Sequence, residues 1–401
     1  MLPILVLIVV LAFTVYLTQK GHEFYWGLMV GSVLLSLANG NSAAATARIF
    51  LEALTSARTI ELIAAVTIIT VLTSILSNCN LLERMVDNLS AFLSNPKLTL
   101  MGVPALIGGI PVTGGAIISA PLVGQLGPAL ALSNARMAAI NIVFRHVCIF
   151  ITPFRPHYIL AASLSATPLI QMVTAQAPLT AIGLLAGYWF LLRQAPVKKQ
   201  TPNSGRLTAG HNFLLYSSPL SAILVGAAFG LRLDVSLGLG LILAILLAWG
   251  HPNLNFKTIL KGIKFPLIIT MASIIIFSAA VNNVKVLPQL LSSTVDYGIS
   301  LKLLVFAVPL IVGYVTADIN ACVALVFPLL LPLLPVESKT YYVAAIYANS
   351  LIAYMASPLH MCQVLTNDYF KINLFQIYRE YWPVLLLLFA GILVLFTLST
   401  L

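Results

Sequence analysis

The sequence predicts an all-α polytopic membrane protein made of two inverted repeats, each with five transmembrane helices and one re-entrant hairpin. Three observations predict it. Of 401 residues, 60% are hydrophobic and only 8% charged, against roughly a quarter charged in a soluble domain. The apolar residues gather in stretches close to the about 17–25 residues that cross a bilayer. The order of spans, amphipathic pieces and broken stretches also recurs when the chain is slid by 205 positions.

In the first repeat, 2–18, 24–39 and 59–78 read as full spans. The first lacks the basic start and small-residue cleavage site of a signal peptide, so it reads as a retained span. In 80–94, Leu81, Leu82, Met85, Val86, Leu89, Phe92 and Leu93 share one helical face, with Glu83, Arg84, Asp87 and Asn88 opposite. Such a helix lies along the interface. The apolar stretch 100–128 is broken midway by Gly, Pro and polar residues. A re-entrant hairpin fits it, because non-helical backbone at membrane depth is tolerated only inside protein or against a cavity. The proline-interrupted span 133–163 and the span 177–192 complete the repeat, and the polar stretch 194–211 divides the chain.

The second repeat follows the same order. Spans 213–231, 235–249 and 265–283 lead to a weaker amphipathic stretch, 284–296. A broken stretch, 301–334, a proline-interrupted span, 340–369, and a last span, 382–400, follow. At the offset of 205, Asn78 meets Asn283, Pro104 meets Pro309, Gly108 meets Gly313 and Pro153 meets Pro358.

A hairpin returns to the side it left, so five crossings invert the second repeat relative to the first. With the N-terminus outside, thirteen basic residues fall inside, Lys20, Lys97, Arg136, Arg193, Lys198 and Arg379 among them. Six fall outside: Arg48, Arg58, Arg232, Lys285, Lys302 and Lys339. The positive-inside rule then places both termini outside a prokaryotic inner membrane and the linker in the cytoplasm. The net charge of +10 is scattered, with no basic run longer than Lys198-Lys199, which argues against nucleic acid as a partner. Cys79, Cys148, Cys322 and Cys362 stand far apart without CxxC spacing. They are expected to act as small apolar packing residues without nearby ligand partners.

Transporters built from inverted repeats bind substrate and coupling ion near the midplane, at the ends of half-helices. The first hairpin tip runs Gly108-Gly109-Ile110-Pro111-Val112-Thr113-Gly114-Gly115. Its glycines would let a ligand approach the backbone, and Thr113 would cap a returning half-helix whose N–H groups favour an anion. The other reading is a packed turn. The second tip carries Thr316, Asp318 and Asn320. An acid at membrane depth marks a functional site; Asp318 could carry a proton, help hold Na⁺, or simply cap the next helix.

The broken spans hold Asn141, Arg145, His146, Thr152 and Arg155 in the first repeat, and Asn349, Ser350 and Ser357 in the second. Arg145 and Arg155 are ten positions apart, so a straight helix would roughly align them, although two prolines intervene. A guanidinium keeps its charge and matches a carboxylate in a fork. Either arginine could instead pair with Asp318 or reach an interface. His146 could relay protons. Thus Pro111, Thr113, Gly114, Gly115, Asn141, Arg145, Thr152, Arg155, Asn349, Ser350 and Ser357 are the candidate substrate residues. Asp318, Thr316, Asn320 and His146 are the candidate coupling residues, with Na⁺ the one metal considered and no other cofactor.

GGIPVTGGAIISAPLV (108–123), FRH (144–146), TPFRP (152–156) and the order of elements over nearly the whole chain resemble the ion transporter superfamily. This group includes transporters of citrate, dicarboxylates, gluconate and lactate; the narrower resemblance is to one of its prokaryotic integral-membrane families. The resemblance implies a homodimer in which a scaffold holds a transport unit moving like an elevator. Residues 1–97 and 212–298 would be scaffold, and 98–193 and 299–401 the moving unit. The tips depart from the sodium–dicarboxylate branch, which carries paired Ser-Asn-Thr motifs. Neither that substrate nor Na⁺ therefore follows.

The expectation is a secondary transporter of a small organic anion, coupled to Na⁺ or H⁺. A cation/proton antiporter using Asp318 and His146 ranks second, because two embedded arginines would repel a cation. No HExxH, GxSG–His or GxGD-type pairing occurs in the sequence, so an enzyme is not expected.

Overall fold

The computed structural model describes residues 2–112, 115–196, 205–284 and 300–400, and no strand occurs among them. The candidates Thr113 and Gly114, the middle of the linker and all of the stretch 284–296 but Val284 lie outside the described residues.

The first half opens with α1 (Leu2–Gln19), α2 (Phe24–Ala38), α3 (Ala43–Thr55), α4 (Ala57–Asn78) and α5 (Leu81–Leu93). Ser42 and Ser56 start α3 and α4 by accepting the N–H groups of Ala45 and Thr59, which satisfies donors a helix start leaves free. The amphipathic α5 buries Leu81, Leu82, Met85 and Leu89. Next come α6 (Pro96–Gly109) and α7 (Gly115–Leu126), packed on each other as a hairpin. Ile110 ends α6 in an extended conformation, as the residue before Pro111 must.

The interrupted stretch comprises α8 (Asn134–Val147), a 3-10 turn (Cys148–Ile151) and α9 (Pro156–Ser165). Arg155, which precedes Pro156, is extended, so no straight helix joins Arg145 to Arg155. α10 (Leu169–Gly187) runs on as a π turn to Leu192.

The second half has α11 (Arg206–Ala228), α12 (Leu233–Leu247), α13 (Phe256–Gly262), α14 (Phe265–Asn282), α15 (Leu301–Thr316) and α16 (Ile319–Leu330). It ends with α17 (Lys339–Ala356), α18 (Met361–Phe370) and α19 (Leu374–Ser399). Helices α6, α8, α9 and α10 each have a partner, α15, α17, α18 and α19, that begins 205 residues later. Their packing is reciprocal. α4 lies on α12 and α13 while α14 lies on α2 and α3; α16 lies on α9 while α7 lies on α18.

Five helical stretches among the described residues are long and apolar enough to cross a membrane: Ala57–Asn78, Asn134–Ser165, Leu169–Leu192, Phe256–Asn282 and Leu374–Ser399. The chain is thus a helical protein suited to a membrane. α2 and α12, expected as full spans, have 15 residues each. That is about 22 Å at 1.5 Å per residue, short of a hydrocarbon core of about 30 Å. The short helices α3 and α13 were not expected.

The core lies along α8 and α9, whose apolar window is 89% buried, against 33% for Leu169–Leu192 and for Leu374–Ser399. Those outer helices expose Leu185, Trp189, Trp382 and Val394, an apolar exterior suited to lipid. Polar contacts at helix ends fall into two sets. One joins Lys97 Nζ to the Arg193 carbonyl (3.1 Å), Arg206 Nε to the Phe92 carbonyl (2.8 Å), Arg136 to Glu380 (2.9 Å) and Asn253 to the Asn78 carbonyl (2.9 Å). The other joins Arg232 to Glu61 (2.9 Å) and Thr340 to Gln171 (3.0 Å), and Asn39 to the Asn283 carbonyl. α4 and α10 link the sets, giving Glu61 and Gln171 to one and Asn78 and Arg193 to the other.

Candidate functional site

The two helix breaks meet at the centre. Asn134 Nδ2 donates to the Phe370 carbonyl (3.1 Å) and Asn141 Nδ2 to Thr366 Oγ1 (3.0 Å). The His146 and His360 rings then meet edge to face at 4.7 Å, and Tyr347 Oη lies 2.8 Å from His157 Nδ1. As the first chain segment climbs from 134 to 157, its partner descends from 370 to 347. The two broken helices therefore run past each other in opposite directions.

Arg145, in the last turn of α8, is 4% exposed, and its Nε and Nη1 have no hydrogen-bond partner. The first hairpin closes tightly around it. A Cβ on Gly108 would sit 1.8 Å from the Arg145 carbonyl oxygen, and one on Gly115 would sit 2.9 Å from Nη2. These glycines serve the approach of α6 and α7 to α8, the packing role weighed for the motif. Gly109 is different: a Cβ there would find Thr152 Oγ1 at 3.8 Å and nothing nearer.

Arg155 lies in the break and donates from Nη2 to the Ile110 carbonyl (3.3 Å), bracing the first tip beside the partly buried Pro111; its Nε has no partner. Both guanidiniums lie at the first hairpin, Arg145 Nη2 against Gly115 and Arg155 Nη2 on the Ile110 carbonyl. Neither forms an ion pair among the described residues. The considered pairing with Asp318 is therefore not made. Burying a charge without a partner is costly, and no acid among the described residues offsets these two.

The other candidates divide into engaged and free groups. Asn141 is tied on three sides: it accepts from Ser119 Oγ (2.6 Å) and donates to the Ala116 carbonyl (3.3 Å) and to Thr366. It clamps α7, α8 and α18 together rather than facing an opening. Thr152 donates to the Cys148 carbonyl (2.6 Å), Ser350 to the Ile346 carbonyl (2.8 Å) and Ser357 to the Tyr314 carbonyl (2.7 Å). Asn349 donates to the Val305 carbonyl (3.4 Å), and its buried Oδ1 remains without a partner.

At the second tip, Asp318 caps α16 by accepting the Ala321 N–H (2.9 Å). Its carboxylate is exposed and borders a cavity of about 550 Å³ with Val15, Phe24, Thr316, Leu359 and Met361. Neither arginine lines that cavity. Thr316 donates to the Val312 carbonyl (2.8 Å), and Asn320 Oδ1 is buried without a partner. His146 shares a short contact of 2.6 Å between Nδ1 and the Ile142 carbonyl.

The expectation that no cysteine has ligand partners nearby fails for Cys362. One ligand atom from each of His146, His360 and Cys362 lies within 4.8 Å of the others. His360, two residues before Cys362, was legible in the sequence; only the approach of His146 was hidden, because it exists only once the antiparallel breaks meet. Two phenols were also missed. Tyr381 Oη reaches Gln363 Oε1 (2.5 Å) and the Met355 carbonyl (3.1 Å), and Tyr378 Oη donates to the Ala356 carbonyl (2.6 Å). They satisfy carbonyls that the end of α17 leaves open. Their signal in the sequence is only a pair of tyrosines at i, i+3.

Fold and centre together define a helical membrane protein with a buried, cationic, polar core at two helix breaks. The chain belongs to the family described as "Protein of unknown function (DUF401)", whose model matches residues 3–400. No curated protein matches it.

Proposed function

We propose that the chain is a secondary active transporter of a small organic anion, with two inverted repeats, re-entrant hairpins and alternating access. The observation that carries this reading is Arg145: a buried guanidinium with two unpartnered nitrogens, near a second arginine and without an acid. A carboxylate would fill that need with a bidentate, charge-assisted contact. The substrate lies between the first hairpin tip and the two breaks, with Arg145 and Arg155 as its cationic groups.

Inversion is supported by the shared offset of 205, the reciprocal packing and the opposite running of the two broken helices. The two sets of helix-end contacts each join residues that charge counting puts on one side. α6 and α7, of 14 and 12 residues, are about 21 and 18 Å long, lengths suited to a hairpin that enters and returns. By the resemblance to the ion transporter superfamily, the protein works as a homodimer whose hairpins and broken helices move as one body. Asp318, with Thr316 and Asn320, takes part in coupling to Na⁺ or H⁺ from its own cavity.

The test is uptake of labelled carboxylates into proteoliposomes under imposed Na⁺ or proton gradients, with a thermal-shift screen of the same acids in detergent. Uptake of at least one carboxylate is expected, reduced about 10- to 100-fold or more in Arg145→Met, since a charged hydrogen bond contributes about 1.5–3 kcal/mol and the buried site gives it no substitute. Uptake and affinity unchanged in Arg145→Met would remove the proposed role. Stabilisation by cations alone would favour the antiporter.

A further inference from the structure

We propose that His146, His360 and Cys362 form a binding site for a thiophilic divalent cation such as Zn²⁺, bridging the two helix breaks. The site is separate from the anion reading, and each can fail alone. Three features carry it.

The first is geometry. One ligand atom from each residue lies within 4.8 Å of the others. Tetrahedral zinc, with bonds of about 2.0–2.3 Å, sets its ligand atoms roughly 3.3–3.8 Å apart. The three ligand atoms thus lie within about 1–1.5 Å of that spacing.

The second is the state of the two imidazoles. His146 has Nδ1 against the Ile142 carbonyl at 2.6 Å, which leaves Nε2 as the ligand. Metal-bound histidines are held in this way, with the other ring nitrogen donating to a carbonyl. His360 is fully buried, and neither ring nitrogen makes a hydrogen bond of normal geometry. Its contact with the Met355 backbone is at best poorly aligned, and a buried polar ring so weakly satisfied is costly unless something binds it.

The third is the ligand chemistry. A thiolate with two imidazoles suits zinc and other borderline-soft ions and offers little to Mg²⁺ or Na⁺, which favour oxygen. The neighbouring Arg145 and Arg155 disfavour any cation that forms no bond to sulfur. On binding, Cys362 gives up its thiol proton to solvent, and the thiolate charge offsets half that of the ion. Three protein ligands leave a fourth position for water or hydroxide. Cys362 is only partly buried, whereas Cys79 and Cys322 are buried.

The experiment uses the full chain, purified in detergent and stripped with a chelator. Co²⁺ serves as the spectroscopic probe and is then displaced by Zn²⁺. Tetrahedral d–d bands and a thiolate-to-cobalt charge-transfer band are expected, and the latter vanishes in Cys362→Ser. His360→Ala should weaken cobalt binding at least about 10-fold, the lower range for disturbing even an outer-sphere partner. Because either variant could fail to fold, the wild-type protein gives a second reading. Zn²⁺, and not Mg²⁺, should slow alkylation of Cys362 at least about 10-fold, read by mass spectrometry of its peptide. No charge-transfer band in the wild type, a band that persists in folded Cys362→Ser, or alkylation unaffected by Zn²⁺ would each overturn the proposal.

Discussion

In the first half, Gly108 of the incoming hairpin arm lies against the carbonyl of Arg145; in the second, Gly313 lies against the carbonyl of Ser350, 205 residues further on. Thr152 sits beside Gly109, and at the same offset Ser357 holds the carbonyl of Tyr314. At these positions the backbone contacts of the two halves correspond. The side chains differ: Arg145 and Arg155 in one half match Ser350 and His360 in the other. The difference teaches that corresponding backbone contacts can carry guanidiniums in one half and a hydroxyl and an imidazole in the other.

The largest expected effect tests the frame itself. Gly108→Ala puts a methyl group 1.8 Å from backbone, which must displace α6 from α8; overpacking of this kind costs about 3 kcal/mol or more. Gly313→Ala meets Ala353 and the Ser350 carbonyl at 2.9–3.0 Å and should cost about 1–2 kcal/mol. Gly109→Ala should be nearly neutral. Thermal unfolding in detergent gives the order, and equal costs at Gly108 and Gly109 would break the comparison.

The second test concerns the charge. Arg145→Met removes an unpaired buried cation, so thermal stability should hold or rise, by up to about 1–4 kcal/mol, while stabilisation by carboxylates disappears. A large loss of stability instead would mean that the guanidinium is a structural tie. Third, Asn141→Ala leaves Ser119 and Thr366 without their partner and should cost about 1–3 kcal/mol. The matching residue of the second half is the apolar Ile346, where Ile346→Val should cost about 0.5–1.5 kcal/mol. The smallest effect is expected at Asp318. Asp318→Ala should lose about 1 kcal/mol of capping, and Asp318→Asn almost none. If Asp318→Asn kept the ion dependence of uptake unchanged, the coupling role would be ruled out.

Much of the frame was legible because it rests on local rules. Prolines 111, 153 and 156 forbid helix at the residues before them, so the tip and the first break could be read from the chain. Of these three, only Pro153 has a proline, Pro358, at the offset of 205; Pro111 and Pro156 meet Thr316 and Met361. Helices α3 and α13 were missed because each is short and neither carries an apolar run long enough to stand out. The site was legible only in part. Arg145 could be singled out by charge alone, but the engagement of Asn141, the packing duty of Gly108 and Gly115, and the approach of Cys362 to His146 depend on contacts between distant segments. Spacing within one helix carries no information about them.

Tyr378 and Tyr381 reach from α19 to the carbonyls of Ala356 and Met355. Pulling the second break away from its place would strip one buried and one part-buried hydrogen bond unless the last helix travelled with it. α19 is in this respect a handle fastened to the centre, and its far end, near Ser399, stands about 25–30 Å away at 1.5 Å per residue. A fluorophore or spin label fixed there would report movement at the breaks without touching them.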